Sequence, residues 1–372
     1  MKVLVVLNEN PAGSHPDVYE AFTGLVSEGL VRSYDVYSHL LARARGLTGA
    51  QIARELLESV GDAGHDLIIW MHTSGLEVGN ETLRAMSNLS QHPIMAYWEA
   101  DSYHPLFKPI PKPMVRIMRY CSRVFVPCGG PLLAGMARAG INEVRYAPST
   151  ASKTRFLPLW SPDGRGDHGI ILIGNKVTSR IPFKTMPGAR ARRRLVKAFE
   201  QRCGAGFAVY GSGWRGPSAK GPREFDEQQR LNAGSRLAVG IENLFSPWYF
   251  SNRLPIALAC GVPLIYRRNP GFDQVFGESL ADRFFDTTPQ AIAMAERLLA
   301  SDDDTLRAQS RANRLFFEEN LTTELVARYV VSTSLSHAGK VPTDSKIGGA
   351  GANAEPLWQR IPPLVSGGRV HG

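Results

Sequence analysis

Two sets of residues in this sequence have types and positions suited to chemistry. The first half carries Glu9 and His15, then His72, Thr73, Ser74 and Gly75, then Glu99 and Asp101, each set just past an apolar run. A carboxylate or imidazole so placed can take a proton from an attacking hydroxyl. The second half carries Gly174-Asn175, Gly211 to Trp214, and Glu242-Asn243, again past apolar runs. Nearby lies a basic cluster of Arg190, Arg192, Arg193, Arg194 and Lys197. An arginine at a helix start suits a diphosphate, through its planar fork and the helix dipole together.

Each candidate has a structural alternative. Glu99 and Asp101 also suit capping or ion pairing, His72 suits a satisfied structural histidine, and Glu242 suits a buried strand-end carboxylate. The basic cluster also reads as a solvated helix face. The run Asp302-Asp303-Asp304 precedes a helical stretch, so it reads as an N-terminal cap rather than a metal motif. No Asp-x-Asp falls at a strand end of the second half, so no catalytic metal is expected.

The elements that position these residues alternate. KVLVVL is a short Val/Leu-rich run expected to be a buried parallel strand. YDVYSHL, DLIIWMH, PIMAYW, SRVFVPC and EVRYAPS continue the series, with helical spacing between them at 16–28, 48–60, 80–90, 113–120 and 131–140. The pattern restarts after a Pro/Gly-rich stretch, 157–168, read as a linker. GIILIGN, FAVYGSGW, RLAVGIEN and VPLIY are strands; 190–202, 248–260, 289–300 and 304–329 are helices. Strand and helix in alternation imply parallel sheets. The expectation is two Rossmann-like, doubly wound domains facing across a cleft, with ligands beyond the carboxyl ends of the strands. The expected bounds are 1–156 for the first domain and 157–320 for the second. A helix at 321–336 returns toward the first, and a Gly/Pro-rich tail at 337–372 is mostly disordered.

The chain has 372 residues, 43% of them hydrophobic, enough for two cores. No run approaches the ~20 apolar residues of a membrane span, and the sequence enters a strand at once, so a cytoplasmic location is expected. Cys121, Cys128, Cys203 and Cys260 form no paired motif and read as small hydrophobes. The net charge of +9 raises nucleic acid as a partner, but the basic residues cluster instead of forming a stripe, so none is expected.

The segment IENLFSPWYFSNRLPIALACGVPLIY, 241–266, resembles the donor-lobe signature of GT-B glycosyltransferases. It is similar to the spore-maturation type glycosyltransferase-like family, and in spacing to the α1,3-fucosyltransferases. The resemblance implies that Tyr249 and Arg253 contact a nucleotide diphosphate and that Asn252, where that family has Glu, meets the ribose. Ile256 stands where many retaining GT-B enzymes carry a Glu. Gly174-Asn175 matches a second piece of the signature. The arginine that follows it in the families is Arg193 by preference, with Arg194 and Arg180 as alternatives. YGSGW, with Gly211, Gly213 and Trp214, is similar to a third. Glu242, Asn243 and Ser251 complete the implied donor set. YWEADSYH resembles the fucosyltransferase strand ending in Glu-Ser-Pro, which implies Glu99 as general base, with Asp101 and His72 as alternatives. Asn10, Gly13, His15 and Ser74 are left to hold the acceptor.

The expected activity is therefore metal-independent transfer of a sugar, hexosyl or deoxyhexosyl, from a nucleotide sugar to a hydroxyl of a small-molecule or glycan acceptor. No other cofactor is expected. A nucleotide-sugar epimerase of the same fold and a catalytically inactive nucleotide-sugar-binding partner are the alternatives.

Overall fold

The computed structural model describes residues 1–11, 15–163, 168–177, 185–337, 355–367, 369 and 370. Gly13 and Arg180 lie outside them. The chain forms two compact units.

The first unit comprises residues 1–148, 323–355 and 359–372. Its elements are β1 (Lys2–Leu7), α1 (Pro16–Ser27), β2 (Ser33–Ser38), α2 (His39–Ala44), α3 (Gly49–Ala63), β3 (Leu67–Met71), α4 (Asn80–Ser87), β4 (Ile94–Trp98), α5 (Lys112–Met118), β5 (Arg123–Val126), α6 (Pro131–Arg138) and β6 (Glu143–Tyr146). Helix α3 starts where the sequence says it should. Thr48 and Gln51 form a reciprocal capping box, and Gly64 closes the helix in the left-handed region.

The second unit comprises 149–322 and 356–358. It contains β7 (His168–Ile173), α7 (Pro187–Cys203), β8 (Phe207–Tyr210), α8 (Glu227–Ala233), β9 (Ser235–Gly240), α9 (Arg253–Cys260), β10 (Leu264–Arg267), α10 (Phe272–Phe276), β11 (Phe284–Phe285), α11 (Thr288–Leu299) and α12 (Asp303–Asn320). The first unit resumes with α13 (Thr323–His337) and two short strands, β12 (Val365–Ser366) and β13 (Arg369–Val370).

The first sheet runs β13-β12-β6-β5-β4-β3-β1-β2, parallel from β6 to β2. The second runs β11-β10-β9-β7-β8 and is parallel throughout. In the second unit α7 packs on α11, while α9 packs on α8 and α12. Strands such as β1, β4 and β8 are buried nearly end to end, as parallel strands covered on both faces must be.

Three stretches differ from the sequence-based expectation. The helix expected from Trp248 begins only at Arg253. Trp248 takes a left-handed φ of 61°. Its backbone N donates to Pro270 O at 2.7 Å and its indole to Gln274 Oε1 at 2.9 Å, against a bare Gly271. The single helix expected at 304–329 is two, broken at Leu321-Thr322. There Trp358 Nε1 donates to Asn320 O and Ala151 N to Leu321 O, so tertiary partners take up the carbonyls at the break. Finally, the tail read as mostly disordered contributes ordered structure. Trp358, Ile361, Leu364 and Val365 are buried, and β12 adds antiparallel to β6.

Asp302 caps α12, its Oδ1 accepting from Thr305 N at 2.8 Å, as its place before a helix implied. Cys128 and Cys260 are buried, while Cys121 and Cys203 are half-buried. No helix among the described residues is long and apolar enough to cross a membrane.

Candidate functional site

In the second unit the carboxyl ends of β7, β8 and β9 are tied together by backbone and by bare glycines. Gly174 N donates to Tyr210 O at 2.7 Å, and Lys176 N to Ser212 O at 2.9 Å. Asn175 Oδ1 accepts from Ser212 N at 2.9 Å, and the Trp214 indole donates to Gly174 O at 2.6 Å. A side chain at Gly211 would overlap the Gly174 carbonyl; one at Gly188, in the first turn of α7, would overlap the Glu242 and Asn243 backbone. Gly188 N donates to Asn243 O at 3.0 Å. Glycine is required at these contacts because backbone meets backbone directly.

Arg192 closes this end of the sheet from within. It is 1% exposed. Its Nε donates to Ile241 O at 3.0 Å, a contact its Nη2 also makes, and Nη1 donates to Asn175 O at 3.0 Å. Burial, then the neighbouring Arg253 charge, pull its pKa down to about 10.

Glu242 is the centre of the polar network. Its Oε1 accepts from Ser251 N at 2.9 Å, from Ser251 Oγ at 2.7 Å and from the Tyr266 hydroxyl. Its Oε2 lies 3.3 Å from the Arg253 guanidinium. Burial alone would raise the Glu242 pKa, but Arg253 and Arg192, helped by Tyr266 and Ser251, hold it below the ordinary glutamate value. Burial likewise opposes the Arg253 charge, and Glu242 outweighs it and raises that pKa. The Arg253 side chain remains 28% exposed. It is thus an oriented cation at the start of α9 with a face free to meet an anion. Tyr249 is buried and Asn252 half-buried; Asn269 Nδ2 donates to Tyr249 O at 2.6 Å.

In the first unit a second network sits past β3 and β4. Nδ1 of His72 is 2.6 Å from Glu99 Oε1, which also accepts from Asp101 N at 2.9 Å. His72 Nε2 lies 3.7 Å from Asp101 Oδ2, and Lys108 Nζ holds that same oxygen at 2.8 Å. Glu99 is fully buried, whereas His72 is 30% exposed and takes a left-handed φ of 50°. A non-glycine residue held there carries strain of roughly 1–3 kcal/mol, a feature that clusters at functional sites. Burial would lower the His72 pKa, but the hydrogen bond and charge of Glu99, with Asp101, raise it above the usual histidine value. His72, Glu99 and Asp101 present ligand atoms within 4.8 Å of one another. Among the described residues their side chains partner one another and Lys108.

Residues 190–331 match the model of a glycosyl transferase-like family. The solved structure of HepE from Anabaena in complex with UDP and glucose superimposes with a TM-score of 0.56 at 13% identity, covering 90% of this chain and 100% of that one. A glycosyltransferase from Rickettsia africae gives 0.59 at 12%, covering 91% and 98%. Sucrose-phosphate synthase from Thermosynechococcus elongatus gives 0.57 at 12%, covering 91% and 99%. The chain has the GT-B fold. A comparison with curated proteins finds no match.

Within this GT-B chain the sequence-predicted residues separate into groups. Gly174, Asn175, Gly211, Gly213, Trp214, Glu242, Asn243, Ser251 and Arg253 gather at the strand ends of the second unit. Arg193 and Arg194 do not join them. Both are exposed on α7, because the inward stripe runs Gly188, Ala189, Arg192, Leu195, Val196, Phe199. The arginine that reaches the strand ends is Arg192, and its place in an apolar i, i+3, i+4 stripe was the available signal. Glu99 lies where expected past β4 but is buried, while His72 and Asp101, with side chains 30% and 42% exposed, are the members of its network open to solvent. In the first unit His15 Nε2 is 3.1 Å from Asn8 Oδ1, and its backbone N donates to Glu9 Oε1 at 3.0 Å. Asn10 and Ser74 are exposed. Sequence reasoning missed Lys176, whose ammonium lies 5.8 Å from the Trp214 ring centroid, and Tyr266 in β10, whose hydroxyl donates to Glu242. Lys176 lies three residues past the end of β7 and Tyr266 is the residue before the last of β10, so nearness to a strand end was the available signal.

Proposed function

We propose that the chain is a glycosyltransferase that moves a sugar from a nucleotide sugar to an acceptor hydroxyl. The observation that carries this is the Glu242-oriented, partly exposed Arg253 at a glycine-packed strand end, inside the stretch that matches the glycosyl transferase-like family. Arg253, with Lys176, neutralises the diphosphate, and Asn252 meets the ribose. The HepE structures hold UDP and UDP-glucose, which makes UDP-glucose the first donor to try.

In this reading His72 is the general base and Glu99 orients it. With Nδ1–H donated to Glu99, Nε2 keeps a lone pair for the acceptor proton. The acceptor oxygen forms its bond to the anomeric carbon as the bond to the diphosphate oxygen breaks. The nucleoside diphosphate leaves with that electron pair, and the proton rests on His72 Nε2. No metal is required by this scheme, since side-chain cations take up the leaving charge.

A melting-temperature panel with UDP, GDP, TDP and ADP tests the donor part, because a ligand of the folded state alone raises the transition. Release of free nucleotide from UDP-glucose, with and without acceptors, tests transfer. If no nucleoside diphosphate shifts the transition, the reading is wrong. A second reading, an epimerase, draws on the same His72, Glu99 and Asp101 group; release of UDP with an altered free sugar and no glycoside would favour it.

A further inference from the structure

The basic cluster of α7 turns away from the strand ends, with the exception of Arg192. Arg190, Arg193, Arg194 and Lys197 are all exposed. Their spacing, i, i+3, i+4 and i+7, sets them on one face of the helix, apart from the residues that pack inward. They occupy about 10 Å of its length. Arg193 and Arg194 stand side by side, so the cations form a patch and not a single file.

The patch has no counter-charge. Among the described residues none of its four side chains makes an ion pair or a hydrogen bond. Helix α7 carries one carboxylate, Glu200, and it accepts from the Ser218 hydroxyl. Helix α11, packed against α7, also carries one, Glu296, and Arg202 binds it. The arrangement works against the helix itself. Like charges at i, i+4, here Arg190 with Arg194 and Arg193 with Lys197, destabilise a helix. Cations are also disfavoured toward its N-terminal, positive end, and the first turn of α7 has no acidic residue to offset them. An external anion relieves both costs.

We infer that this face of α7 rests on an anionic phospholipid surface, with headgroup phosphates taking up the four cations. An outward helix face gives a small anion no walls. The patch holds no aromatic ring on which a nucleobase stacks. Lipid headgroups diffuse laterally and so meet cations at any spacing, and the guanidinium fork suits their phosphates. Each such cation beside an anionic leaflet strengthens attachment roughly fivefold. The contact lies on the membrane and does not span it. It uses only residues that the donor network leaves out, so it does not depend on which nucleotide the second unit holds.

The test is co-sedimentation of the intact chain with mixed phosphatidylglycerol–phosphatidylcholine vesicles and with phosphatidylcholine vesicles, in the absence of nucleotide. The wild type binds the anionic vesicles alone, and binding fades as salt rises. The double variant Arg193→Gln/Arg194→Gln binds about 25-fold more weakly, two steps of about fivefold, and keeps the wild-type UDP-induced melting shift. The double variant Arg54→Gln/Arg84→Gln, which removes the same charge from exposed positions on α3 and α4, keeps its vesicle binding. A wild type that ignores anionic vesicles overturns the inference, as do equal losses in the two double variants, since net charge is then the cause. So does an Arg193→Gln/Arg194→Gln variant that loses duplex DNA binding with vesicle binding intact, or one that loses the UDP shift. A missing UDP shift in the wild type counts against the donor reading and leaves the vesicle result standing.

Discussion

Glu99 and His72 are joined at 2.6 Å, and the two differ in access: the carboxylate is sealed from water and the imidazole is not. In the proposed reading this asymmetry divides their roles. There the buried Glu99 orients His72 and stabilises the imidazolium that forms when it takes a proton, and does not itself meet substrate.

Replacing either member therefore affects one function. His72→Ala lowers turnover about 10²–10⁴-fold, and Glu99→Gln lowers it by a comparable factor. The double variant is no slower than the worse single one, because residues acting as a unit are not additive. The nucleotide-induced melting shift is the same in all three. Multiplicative losses in the double variant, measured as kcat, would separate the two residues.

The pH dependence follows from the raised pKa of His72. As base it must be neutral, so kcat falls as pH drops through that value, an acid limb lying above the ordinary histidine range. Stability moves the other way. A folded-state pKa above the unfolded one stabilises the fold fully below the unfolded value of about 6.5, and the gain is lost as pH rises through the folded value. Melting curves of the wild type and His72→Gln should then differ most at mildly acid pH and converge at alkaline pH.

The basic helix offers a comparison between adjacent residues. Arg192→Ala removes a buried guanidinium that holds the Ile241 and Asn175 carbonyls, and should cost roughly 3–5 kcal/mol of stability. Arg193→Ala and Arg194→Ala, on the exposed face, should change stability by less than about 0.5 kcal/mol and leave nucleotide affinity intact. Urea denaturation and calorimetry of the three variants decide this. Weakened nucleotide binding in Arg193→Ala would return that residue to the donor set.

Arg253→Ala should abolish the nucleotide-induced melting shift. Glu242→Gln should weaken nucleotide binding too, because Arg253 loses its orienting partner. It should also destabilise the chain by about 3–5 kcal/mol, since Arg192 and Arg253 lose their counter-charge. If Glu242→Gln binds nucleotide normally, the carboxylate is structural only.

Gly188→Ala tests the close packing of α7. A methyl there meets the Glu242 carbonyl and the Asn243 backbone, neither of which yields easily. The expected loss is about 1–3 kcal/mol, the range of overpacking, together with reduced nucleotide affinity, read from urea midpoints and calorimetry.

The sequence by itself determined most of the framework. Short Val/Ile/Leu runs ended by polar residues marked β1, β3, β4, β5 and β7 to β10, because strands buried on both faces leave no choice of residue type. The strand-end rule also located Glu99, Asn175, Gly211 and Glu242. What it could not supply was the direction of side chains that tertiary packing decides. Arg192 and Arg193 are neighbours of one type; the apolar stripe of α7 hinted that the first faces inward, but its carbonyl partners on Asn175 and Ile241 appear only once α7 docks on the sheet. Glu99 and His72 are 27 positions apart, and their contact exists because β3 and β4 pair side by side in parallel register. The docking of Trp358 at the break between α12 and α13 and the hydrogen bond of Ala151 to Leu321 there were hidden for the same reason. Each depends on a partner distant in sequence, and local propensity carries no record of it.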